Sequence, residues 1–187
     1  MGLEKVGTKI ITAWAKASEK SLLATRPVKV NLNEFMLPLK GKNSEKIIIY
    51  VRNGEKVGEI RYAISSGNIG KYPEYYLEQR GKFRVTKPSI FISHLEGNRC
   101  GTRLMQIAGQ DAVRQTEGRM VLDAQCVDGL TSPDAFYFKL GFRKLNLHEN
   151  DLIKSYIDKG KIIPPDSFSD RMFLPRENLL HLLNYHK

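Results

Sequence analysis

Residues 89–117 hold the most informative chemistry in the chain. Ser89-Ile90-Phe91-Ile92-Ser93-His94-Leu95 reads as a strand, and the apolar spacing from Thr102 onward reads as a helix. Between them stands Glu96-Gly97-Asn98-Arg99-Cys100-Gly101. A glycine-bearing turn lets backbone N–H groups approach an anion closely, and the start of the following helix adds partial positive charge. Arg99 and Arg103 add full charges, and Thr102 adds a hydroxyl. Such a turn suits a phosphate, although many strand-to-helix turns carry two glycines and bind nothing.

Other reactive residue types are less organised. Neither Cys100 nor Cys126 has an adjacent histidine, and their spacing suits no metal, so both read as structural. His148, His181 and His186 read as surface residues. Residues 65–88 interleave Tyr72, Tyr75, Tyr76 and Phe83 with Lys71, Arg80, Lys82, Arg84 and Lys87. That mixture can mark a nucleic-acid surface. The plainer and preferred reading is a long loop with a short helix whose aromatics pack onto a sheet. Arg143, Lys144, Lys154, Lys159 and Lys161 make a basic stretch nearer the C-terminus.

The elements that must position these groups follow from periodicity. Ile10, Ile11, Trp14, Ala17 and Leu22-Leu23 recur at helical spacing, which predicts a helix over 3–24 ended by Arg26-Pro27. Residues 28–32 alternate as a short strand. Ile47 to Val51 and Val57 to Ile64 flank Asn53-Gly54, the favoured pair for a type I′ turn, and predict a hairpin over 46–64. The helix from Thr102 should stop near Glu117-Gly118. Met120 to Ala124 reads as a strand. Ser132-Pro133-Asp134 opens a short helix that ends at Gly141. A strand is expected over 142–147, a helix over 150–158, a strand over 171–174 and a last helix over 177–185. The pattern is α/β, in one domain over 1–187.

Composition sets the outer bounds. The chain has 187 residues, 41% of them apolar, with 30 Lys+Arg against 20 Asp+Glu and a net charge of +10. That is too apolar for a disordered tail, and two cysteines cannot form a disulfide framework. No apolar run approaches a membrane span, and the N-terminus lacks the pattern of a cleaved signal. The expected setting is cytoplasmic, with no membrane partner. The positive excess predicts an anionic ligand or partner.

Two segments taken together resemble a known family. Gly101-Thr102-Arg103-Leu104-Met105 looks like the end of one motif, and Phe136-Tyr137-Phe138-Lys139-Leu140-Gly141-Phe142 matches a second. With one helix and one strand between them, the pair resembles the GCN5-related N-acetyltransferase (GNAT) family, a resemblance that covers residues 46–147 best and makes them the best-supported core of the domain. The resemblance implies a mixed, mostly antiparallel central sheet with flanking helices and two splayed parallel strands, here 89–95 and 119–125. It implies direct transfer of an acetyl group from acetyl-coenzyme A, as co-substrate, to a primary amine, with no metal. Leu95, Gly97, Asn98, Arg99, Cys100, Gly101, Thr102 and Arg103 would contact the coenzyme. Tyr137 would protonate the leaving thiolate, and His94 is the best-placed base, with Glu59 and Asp123 as alternatives. The family's pairing habit leaves a homodimer open. Two positions depart from the motif: aligned on Gly101, Glu96 stands where the family has Arg or Gln, and Arg99 replaces its first glycine.

The acceptor expected from the charge is a protein or an RNA-borne amine rather than a polycation. The alternative is a weakened GNAT-fold module that binds nucleic acid or an acidic protein through its basic surface.

Overall fold

A computed structural model describes residues 34–41, 44–65, 75–78, 81–84, 88–126 and 129–186. The helix expected over 3–24 and the strand over 28–32 lie outside them. The described residues fall within the unit Leu32–Lys187.

Alternating apolar residues build the sheet first. Strands β1 (Glu34–Lys40), β2 (Lys46–Arg52) and β3 (Glu55–Ser65) form an antiparallel run. Asn53 and Gly54 both take positive φ, at 52° and 83°, as a type I′ turn requires. β1 was not foreseen, because Pro38 argues against a strand. It lies at the sheet edge, where a missing N–H breaks no ladder. Residues 75–78 and 81–84 form β4 and β5, a two-stranded antiparallel pair. In these residues the expected loop with a short helix is replaced by strands, in keeping with the β preference of Tyr75, Tyr76 and Phe83.

β6 (Ser89–Gly97) joins β3 antiparallel, α1 (Gly101–Thr116) follows, and β7 (Met120–Asp123) returns parallel to β6. α2 (Asp134–Lys139), α3 (Leu147–Asp158), β8 (Arg171–Phe173) and α4 (Leu179–Leu183) complete the chain. The six-stranded sheet has the order β1-β2-β3-β6-β7-β8, with β6–β7 its one parallel pair. The structure is therefore α/β with a mixed, mostly antiparallel sheet.

α1 covers one face of this sheet. Leu104, Met105, Ala108 and Ala112 recur at three- and four-residue spacing and are fully buried against Ile60, Tyr62, Ile90 and Ile92. Leu104, Met105 and each of the buried isoleucines contribute about 1.5–3 kcal/mol, the two alanines less. Glu117 (φ 54°) and Gly118 (φ 85°) end the helix in the left-handed conformation. Gly109 admits the C-terminal helix: a Cβ there would lie 3.1 Å from Leu182. Gln106 Nε2 donates to the carbonyls of Leu182, Leu183 and Tyr185, which holds α4 in place.

The strand expected over 142–147 reduces to a single bridge, Arg143 to Phe173. The Asn150 side chain accepts from Lys144 N at 2.8 Å and donates to Lys144 O at 2.9 Å, taking the place of a neighbouring strand. Asn146 then caps α3 by accepting from His148 N. At α2 the N-cap is Pro133. Ser132 stands one residue earlier, accepting from Asp134 N and donating to the Asp134 carboxylate.

Candidate functional site

Gly97, at the end of β6, pairs directly with Gly58 of β3. Both must be glycine for one reason. A Cβ on Gly58 would overlap Cys100 Sγ outright, and a Cβ on Gly97 would lie 2.8 Å from it. The sulfur is buried under the two strands and bonds to Val57 O. Burial pushes the Cys100 thiol pKa up, while the Arg52 guanidinium pulls it down. Cys100 is thus a packing residue that anchors the turn, as its lack of a histidine neighbour predicted.

Asn98 N donates to Val57 O, which pins the turn to β3. Arg99 then takes φ 61°, the left-handed conformation that glycine adopts freely. It occupies the position where the resembled family has glycine. Cys100 O accepts the first bond of α1 from Leu104 N. No side chain caps this helix start, and its first turn holds no acidic residue. Gly101, Thr102 and Arg103 therefore present an electropositive helix end to the surface.

Arg52 is a neighbour of the turn that sequence reading missed. It closes β2 and bonds to Glu34, with its guanidinium over the Tyr50 ring. Only the strand register carries it toward Cys100, and no local motif marks it.

The two motif segments meet in space. Phe136 lies 3.2 Å from where a Gly101 Cβ would stand. A cleft of about 340 Å³ is lined by Thr102 from α1, by Thr131, Ser132, Pro133, Ala135, Phe136, Lys139 and Leu140 around α2, and by Tyr185 from the C-terminus. Tyr185 is a second residue with no signal in the sequence.

Tyr137 is buried in the core cluster that includes α1, edge-on to Phe136 and Phe142. Burial, with the nearby Asp134 charge, pushes its phenol pKa up to about 12. It keeps its proton at every working pH.

His94 lies elsewhere. β6 pairs Ile92 with Tyr62 and His94 with Arg61, so Ser93 is an extra residue, a bulge. Ile92 and Leu95 point to the α1 side, whereas Ser93, His94 and Glu96 stand on the opposite face. There Glu96 Oε1 lies 2.5 Å from Lys56 Nζ, and Glu96 Oε2 lies 3.7 Å from His94 Nε2. Lys56 also reaches Glu59 Oε2 at 2.8 Å, and Arg61 bonds to the same carboxylate. Glu59 is nearly buried and charged, its pKa lowered by Lys56 first and by Arg61. Glu96, which stands where the resembled family has Arg or Gln, therefore faces away from the turn.

Leu95 packs against the core beside the turn. Asp123, at the end of β7, is taken up by Arg171 at 2.5 Å. Among the described residues no group of three or more His, Cys, Asp or Glu could hold a metal, and no helix is long and apolar enough to cross a membrane. β6 and β7 pair only over Ile90–Ile92 and Met120–Leu122, while β6 runs on to Gly97 paired with β3 alone. No family model, curated protein or solved structure matches the chain.

Proposed function

We propose that this chain is a GNAT-like N-acetyltransferase that moves an acetyl group from acetyl-coenzyme A directly to a primary amine on a protein or other macromolecule. One observation carries the reading: the two motif segments, far apart in sequence, line one cleft beside the uncapped start of α1.

The residues fit the coenzyme's chemistry. Backbone N–H groups of residues 101–103, with Arg99 and Arg103, suit a pyrophosphate. A thin pantetheine arm would lie along β6 beyond Ile92, where its pairing with β7 has ended. The thioester supplies an activated acyl carbon. A backbone N–H of β6 on its β7 side beyond Ile92 would polarise its carbonyl. The donor would approach from the α1 side and the acceptor from the His94 side, the two meeting beside the part of β6 that β7 no longer pairs. A base on the acceptor face removes the ammonium proton, and the Tyr137 hydroxyl, protonated throughout, donates toward the departing sulfur.

The test is thermal unfolding with and without acetyl-coenzyme A. A ligand held only by the folded state stabilises it by about 2.7 kcal/mol at a hundred times its Kd. A clear rise in Tm at millimolar acetyl-coenzyme A is expected, and none would overturn the reading. Tyr137→Phe should then lower turnover while leaving that rise intact. An unchanged rate removes Tyr137 from the mechanism.

A further inference from the structure

The cleft beside the start of α1 has a composition of its own. None of the residues lining it is acidic. Two are aromatic, Phe136 of α2 and Tyr185 of the C-terminal segment. Lys139 supplies a cation. It is exposed, and among the described residues it has no carboxylate partner. Thr102 and Thr131 add hydroxyls, while the Ser132 hydroxyl already bonds to Asp134. Aromatic rings suit a base, hydroxyls a sugar and an unpaired lysine a phosphate, which together are the needs of a nucleotide. The volume of about 340 Å³ lies at the small end of ligand sites, which run ~300–1,000 Å³. That is room for one nucleoside and not for a whole coenzyme.

Tyr185 is fixed from several sides. Gln106 Nε2 donates to Tyr185 O at 2.9 Å, and Tyr185 N donates to Leu182 O. The ring stands edge-on to His181, with centroids 5.4 Å apart, and His181 Nε2 lies 2.8 Å from Lys139 O. The aromatic and the cation of the cleft are therefore tied to each other through His181. Tyr185 packs on the core yet stays only partly buried, and its hydroxyl has no hydrogen bond to a described residue.

The position of the cleft says which part of a donor would fill it. No residue of β6 or β7 lines it, so it is not the path of the pantetheine arm. Thr102 belongs both to the cleft and to the uncapped helix start, and Gln106, which fixes Tyr185, stands one turn further along α1. A pyrophosphate at residues 101–103 would send its pantetheine along β6 and its nucleoside the other way, into the cleft.

We infer that the cleft is the nucleotide subsite of the acyl donor, with Tyr185 stacking on the base and Lys139 pairing with the phosphate on the ribose. This rests on the acyl-transfer reading and narrows it. The donor is a free acyl-coenzyme A. An acyl group on a protein-borne pantetheine has no nucleoside to place beside Tyr185.

The experiment titrates the full chain with adenosine 3′,5′-bisphosphate by calorimetry. The bisphosphate should bind and should compete with acetyl-coenzyme A. Tyr185→Leu keeps an apolar side chain against the core and removes the ring; it should weaken binding about tenfold, while Tyr185→Phe stays within about twofold of the native chain. Lys139→Met should weaken the bisphosphate about fivefold and adenosine 5′-monophosphate hardly at all. In transfer to a pooled set of lysine peptides, kcat/KM for acetyl-coenzyme A should exceed that for S-acetylpantetheine about a hundredfold, and Tyr185→Leu should shrink this ratio about tenfold. No binding of the bisphosphate, or native affinity in both Tyr185→Leu and Lys139→Met, overturns the subsite. Equal kcat/KM for S-acetylpantetheine and acetyl-coenzyme A overturns it too, and leaves the acyl-transfer reading standing. Bisphosphate binding that weakens in both variants, without any acetyl transfer, supports the subsite and counts against the acyl-transfer reading alone.

Discussion

The two faces of the β3–β6 pair are made by the same strands and held together by opposite physics. On the α1 side, Gly58, Ile60, Tyr62, Ile92 and Gly97 meet Cys100 and the apolar stripe of α1 with no room to spare. On the other side, Lys56, Glu59, Arg61 and Glu96 form a chain of charges open to water at one end, with His94 beside it. Packing fixes the first face, so its residues cannot move without loss. Ion pairs hold the second, where charge can be rearranged at small cost. The proposed chemistry uses each accordingly: the rigid side shapes the coenzyme turn, and the charged side handles protons.

A buried ion pair near the cleft marks the extreme of this contrast. Lys144 is fully buried and its Nζ lies 2.5 Å from Asp134 Oδ1. Lys144→Met strands the Asp134 charge and should destabilise by about 3–5 kcal/mol. Chemical denaturation measures this, and the double change with Asp134→Asn should recover most of it. A loss under about 1 kcal/mol would show that water reaches the pair.

The next effect lies on the packed face. Gly58→Ala places a methyl on Cys100 Sγ and 2.9 Å from Glu96 O. Overpacking of this kind costs about 1–3 kcal/mol. Adding Cys100→Ala should return part of the loss, because the sulfur is one of the two obstacles. If it returns nothing, the backbone contact decides the fit.

The smallest effect lies on the charged face. Glu59 and Glu96 are both held below the ordinary carboxylate pKa of 4.5, with Lys56 the leading cause for each. Their ionisation stabilises the fold above that pH, and the contribution fades as pH falls through the lowered values. Lys56→Met should lower Tm by a few degrees at most at pH 7, and the gap to the native chain should close toward pH 3. A gap that stays constant with pH would mean that Lys56 acts through its alkyl packing.

Local pattern made much of the fold legible. Asn53-Gly54 set the hairpin, because few residues accept two positive φ angles in succession. Glu117-Gly118 set the end of α1 for the same kind of reason. Both motif segments stand out by their residue types and order alone. Where the local pattern misled, the deciding contact was distant. The strand expected over 142–147 was lost to the Asn150 side chain, and β1 was hidden by a proline that only an edge position makes harmless.

Charge shows the same division. Residues 1–33 carry six cations against two anions, residues 66–88 carry five against two, and residues 89–187, which hold the turn and the cleft, carry thirteen against twelve. The sequence by itself determined the net charge, the hairpin, the helix and the motif segments, because these depend on residues close along the chain. Tertiary structure alone decided which face each charge would serve. One extra residue at Ser93 turned His94 and Glu96 away from the turn at 97–101, and register alone brought Arg52 toward it. A one-residue offset reverses the face of every side chain beyond it and leaves no mark in the local pattern.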